Sequence, residues 1–93
     1  MVISMTSVLA RNEDCPVREI GGGLVIMAPT GDVTHSLEDI GAFIWNQLDG
    51  KADMGTVLQA ITVEYDVETA VAEADLQTFV NELLAANIII QVS

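Results

Sequence analysis

Positive charge is what this sequence has least of. Three Lys and Arg side chains stand against fourteen Asp and Glu in 93 residues, a formal charge of −11. Affinity for a phosphate backbone comes from cations that displace counterions, and Arg11, Arg18 and Lys51 cannot form a basic stripe. No nucleic-acid partner is therefore expected. The one cysteine, Cys15, excludes an internal disulfide and fits a reducing cytoplasm. There is one histidine, His35, and no pair of Cys or His at metal-ligand spacing, so no metal, cofactor or catalytic residue is expected. No apolar run approaches the roughly 20 residues of a membrane span, and no cationic segment leads into a long apolar one. The expectation is a cytoplasmic chain without a membrane partner that is not an enzyme.

What the sequence does have is apolar content. It is 51% hydrophobic with a mean hydropathy of +0.45, high for a small domain able to bury roughly 60–65% of its unfolded surface. The excess is expected to lie under a partner or a second copy.

Residues 1–15 have mixed polarity and no sustained period, and read as a flexible lead-in. A single domain is expected over 16–92. From Pro16 onward, β-prone runs at 17–20, 24–28 and 33–35 are separated by Gly21-Gly22-Gly23 and by Pro29-Thr30-Gly31-Asp32. The glycine triplet is followed by a strand pattern and not by a helix, so it reads as a hairpin turn and not a phosphate cradle. Three short antiparallel strands are predicted.

Residues 36–50 then carry the signals of a helix. Ser36 is placed to cap it, Leu37, Ile40, Ile44 and Leu48 recur at helical spacing, and Asp49-Gly50 stops it. Asp53 caps a second helix with Met54, Val57, Leu58, Ile61 and Tyr65 on its apolar face. A third helix is expected over 68–86, with Val71, Leu76, Phe79, Val80, Leu83 and Leu84 inward, ended by Asn87 before the β-branched run 88–92. The fold class is α+β, winged-helix-like: N-terminal strands, a three-helix unit and a short C-terminal strand.

Two functional readings follow. His35-Ser36-Leu37 ahead of a helix in an acidic chain resembles the attachment motif of an acyl or peptidyl carrier protein, with phosphopantetheine on Ser36. The β-prone approach through 16–35 does not fit a carrier. The stronger resemblance rests on Leu37-Glu38-Asp39-Ile40-Gly41-Ala42, Ile44-Trp45-x-x-Leu48-Asp49-Gly50, Tyr65-Asp66-Val67, and Asp75 with Phe79, Leu83 and Leu84 before Asn87-Ile88-Ile89. Together these are similar to the PqqD family. Glu38 and Asn87 depart from it, standing where the family commonly has Asn and Gly.

The resemblance implies a non-catalytic peptide chaperone. Such proteins bind the leader of a ribosomally made precursor peptide and present it to a modifying enzyme, often of the radical SAM type, as in pyrroloquinoline quinone (PQQ) biosynthesis. It implies strand addition at Val33, Thr34 and His35, with Asp75, Thr78, Phe79 and Glu82 of the third helix walling a groove. An unused edge strand also offers pairing to another copy, as a homodimer or strand-exchanged dimer.

Overall fold

The protein is described from a computed structural model, which covers residues 3–29, 31 and 34–92. In chain order the elements are β1 (Val8–Arg11), β2 (Val17–Ile20), β3 (Gly23–Met27), β4 (Thr34–Leu37), α1 (Ile40–Gln47), β5 (Asp49–Asp53), α2 (Met54–Glu64), α3 (Thr69–Ala85) and β6 (Ile89–Gln91). The fold is α+β, with antiparallel strands, three helices and a short C-terminal strand, as the sequence predicts.

The predicted strands form an antiparallel meander in the order β2-β3-β4. Gly21 and Gly22 make the first hairpin turn at φ 61° and 122°, values that a side chain would resist. At the second turn, Gly31 has φ 79° and donates its N–H to the Ala28 carbonyl at 2.8 Å.

The second sheet, ordered β5-β1-β6, corrects the lead-in expectation for residues 1–15. Val8–Arg11 is its central strand, antiparallel to both neighbours. Ile3, Leu9 and Cys15 belong to the core, and the carbonyls of Met5 and Ser7 accept the first N–H groups of α2 from Gly55 and Met54. The signal was faint because only Leu9 of the four strand residues is fully buried. Its partners also lie about 40 and 80 residues downstream, beyond the reach of local pattern.

The first helix is shorter than predicted. Ser36 and Leu37 continue β4, and α1 starts only at Ile40, so Ser36 is not its cap. Asp39 holds the N-cap position at φ 50°, ψ −119°, with no side-chain cap bond. The sheet wins because it buries Leu37 opposite Leu24. At the far end, Asp49-Gly50 does more than stop the helix and opens β5. The β1–β5 register slips between Val8 and Ala10, and Asp49 Oδ1 accepts the N–H groups of Lys51 and Ala52, each at 2.9 Å. Those bonds hold the Asp49 carboxyl below the usual carboxylate range.

The other two helices start and stop as their end signals predict. Asp53 Oδ1 accepts from the N–H and the hydroxyl of Thr56, both at 2.8 Å, capping α2. Asn87 adopts φ 62°, its N–H bonding the Leu84 carbonyl while the N–H of Ile88 bonds that of Leu83. That pairing closes the last turn of α3 and turns the chain into β6. Ile44 and Trp45 of α1, Met54, Val57, Leu58 and Ile61 of α2, and Ala72, Leu76, Val80 and Leu83 of α3 meet in the core. Val71, expected inward, is exposed. Among the described residues no helix is long and apolar enough to cross a membrane.

Candidate functional site

Edge strands expose backbone groups, so the first question is which groups at β4 are open. N–H and C=O of one residue in an antiparallel sheet point to the same side and alternate along the strand. Met27 donates its N–H to the Pro16 carbonyl on the β2 side at 3.0 Å, which sets the parity of β3. Leu24 and Ile26 therefore bond toward β4, to their register partners Leu37 and His35. The backbone groups of Thr34 and Ser36 then point away from the sheet, where β4 has no neighbouring strand among the described residues. Val33 lies outside the described residues.

Side chains follow the complementary alternation. His35 and Leu37 share the face of buried Leu24 and Ile26, while Thr34 and Ser36 lie on the outer face and are exposed. Leu37 is 7% exposed, and His35 is half-buried. The Nε2 atom of His35 is shielded from solvent and has no hydrogen-bond partner.

The family resemblance implies a wall from α3. Positions 75, 78, 79 and 82 fall on one helical face, with Asp75, Thr78 and Glu82 exposed and Phe79 half-buried. Phe79 lies near Gly41 of α1. A Cβ on Gly41 would lie 3.5 Å from Phe79 Cε1, 3.6 Å from its Cζ and 3.7 Å from Leu37 Cβ. Leu37 of β4 and Phe79 of α3 thus both lie within reach of position 41 in α1. Sequence reasoning missed three participants: Leu37, Gly41 and the backbone of Ser36. Local pattern gave no signal for this, since Thr34-His35-Ser36 are all polar and the alternation appears only in the burial of the folded strand.

The marked concavities lie elsewhere. One of about 310 Å³ covers Pro16, Val17, Arg18, Ile20, Val25 and Met27 around β2 and β3, and another of about 350 Å³ lies by Arg11, Cys15 and Trp45. Neither adjoins β4. An extended chain needs an open edge and a shelf, and a closed cavity supplies neither.

Chemistry beyond binding has little to build on. Among the described residues no group of three or more His, Cys, Asp and Glu is placed to hold a metal ion. Cys15 is buried, its thiol within 3.7 Å of the Asn87 carbonyl. Burial, and secondarily the charge of Asp14, push that thiol above its ordinary pKa, away from a reactive thiolate. Ser36 sits in a strand, so the helix-start geometry that suggested a carrier attachment site is not present.

No curated protein matches the chain in sequence. A solved structure described as "TbiB1 in Complex with the TbiA(beta) Leader Peptide" shares its fold. The TM-score is 0.76 over 86% of this chain and 93% of that one, at 21% identity. The family model for coenzyme PQQ synthesis protein D (PqqD) matches residues 23–89, a span that takes in β3, β4, all three helices and the whole of the described site. The chain belongs to the PqqD family.

Proposed function

We propose that this protein is a non-catalytic peptide chaperone of the cytoplasm. It takes the leader segment of a ribosomally made precursor as an added strand on β4 and presents the precursor to a modifying enzyme of the radical SAM type. The observation that supports this reading is the edge of β4, which has no neighbouring strand among the described residues, while Leu37 of that strand and Phe79 of α3 both lie near Gly41. Family membership supports it, with coenzyme PQQ or a related peptide-derived product as the pathway class. The leader peptide held by the similarly folded TbiB1 supports it further.

The division of labour follows from the geometry. Backbone bonds to Thr34 and Ser36 recognise any extended chain, so selectivity falls to side chains and to charge. Leu37 and Phe79 favour an apolar leader side chain between them. Asp75 and Glu82 favour Lys or Arg nearby, so affinity falls with added salt. A second copy pairing along β4 would occupy the edge the leader needs, so self-association and peptide binding compete.

Selection from a displayed library of random peptides tests this, with Ser36→Pro as the counter-variant. Proline at 36 removes an N–H that points away from β3, which an edge strand tolerates. Expected is enrichment of peptides on the native protein and their loss on a Ser36→Pro variant that melts as the parent does. Peptides that bind both equally would place binding away from β4.

A further inference from the structure

His35 is out of keeping with its surroundings. It occupies a position on the inward face of β4, in register with the fully buried Ile26 and two residues from buried Leu37. An aliphatic side chain would fill such a place without leaving a polar atom. Here Nε2 is shielded from solvent and makes no hydrogen bond. An unpaired buried nitrogen is costly, and buried polar groups in native proteins nearly always find partners. None is found among the described residues, so the partner is to be sought in what binds at the edge.

The sheet register says where that partner comes from. Because His35 bonds toward β3, it occupies a non-hydrogen-bonded position with respect to any strand added antiparallel on β4. Residues facing each other at such positions have Cα atoms about 4.5 Å apart and their side chains in contact. The ligand residue opposite His35 therefore projects onto the same face, against the imidazole. A half-turn of the ring about Cβ–Cγ exchanges Nε2 with Cε1, a motion the broad χ2 torsion of histidine permits. It offers Nε2 to that neighbour.

We propose that His35 is a specificity-determining residue of the peptide site. It selects a leader whose residue opposite it carries a hydroxyl or carboxamide, as in Ser, Thr, Asn or Gln, which completes the hydrogen bond at Nε2. This rests on the peptide-binding reading above. Hydroxyls and carboxamides can either donate to or accept from an imidazole nitrogen. A carboxylate is disfavoured by the net charge of −11.

The test uses peptides selected from the displayed library on the native protein and on His35→Leu, a variant with the aliphatic side chain the position otherwise suits. On the native protein one aligned position is expected to favour Ser, Thr, Asn or Gln, and on His35→Leu the same position turns aliphatic while the others keep their preferences. Replacing that Thr by Val in a selected peptide should weaken binding about 2- to 10-fold on the native protein and not on the variant. Since His35 is the only histidine, its ring gives a single pair of imidazole nitrogen resonances. The Nε2 signal should move with the Thr peptide and not with the Val one. An apolar or acidic preference opposite His35, or a Val peptide that binds as well as the Thr one, overturns the proposal and leaves peptide binding standing. A library that yields no binder overturns both.

Discussion

Replacing Leu9 by Ala probes whether β1 belongs to the folded unit. Leu9 has no exposed surface and sits at the centre of β5-β1-β6, between partners drawn from distant parts of the chain. Truncating such a leucine loses the transfer energy of the removed carbons and leaves a cavity whose walls cannot fully close. Together these cost about 3–5 kcal/mol. A chain of 93 residues ordinarily has about 5–14 kcal/mol of total stability, so the loss is a large fraction of what holds the fold. At about 4–8 °C per kcal/mol, the melting temperature should drop by at least about 12 °C. Urea titration and a thermal scan by circular dichroism measure both quantities. Glu13→Ala, at an exposed position outside the strand, serves as the control and should stay within about 0.5 kcal/mol of the parent. A Leu9→Ala protein within about 1 kcal/mol of the parent would falsify the placement of β1 in the core and restore residues 1–15 as a dispensable lead-in.

Other expectations are briefer. Asp39→Gly relieves a backbone held at φ 50° without a side-chain bond to reward it, and should stabilise by about 1 kcal/mol in urea titration; an unchanged midpoint would show that no strain is stored there. Gly41→Ala places a methyl in ordinary contact with Phe79 and Leu37 within α1, so the variant should be as stable as the parent or up to about 1 kcal/mol more so. A clear loss of stability would mean that the packing around position 41 is tighter than the distances say. The carboxyls of Asp49 and Asp53 lie below their ordinary range because backbone N–H groups bond the ionised form. With folded pKa values below the unfolded value of about 3.9, their stabilisation is fully present above that pH and lost as pH falls through the folded values. Acid titration of Asp49→Asn/Asp53→Asn should therefore show a shallower loss below about pH 4 than the parent. An identical acid limb would assign the pH sensitivity to other carboxylates.

Local signals made much of this molecule legible. The hairpin glycines, the Asp53 cap, the Asn87 terminator and the inward positions of α2 each announce themselves within a few residues. The physics behind them is equally local: a backbone angle, a cap bond or a helical period. Ser36 shows where such logic fails. Ser-Leu-Glu-Asp reads as a helix start, yet pairing with Val25 and the burial of Leu37 beside Leu24 hold these residues in the strand. The candidate site was legible only through the family resemblance, not through local signals. Asp75, Thr78, Phe79 and Glu82 share a helix face by spacing alone, whereas the meeting of Phe79 with Leu37 across Gly41 joins segments about 40 residues apart.

By itself, then, the sequence determined the α+β class, the order of the helices and the β2-β3-β4 meander, because propensity and periodicity are properties of short windows. Only the tertiary structure decided that β1 is a central strand, that Thr34 and Ser36 carry the outward backbone groups, and that His35 brings an unpaired nitrogen to the inner face of an open edge. Each of these depends on which distant residues pair, and pairing is settled by the burial of the whole core.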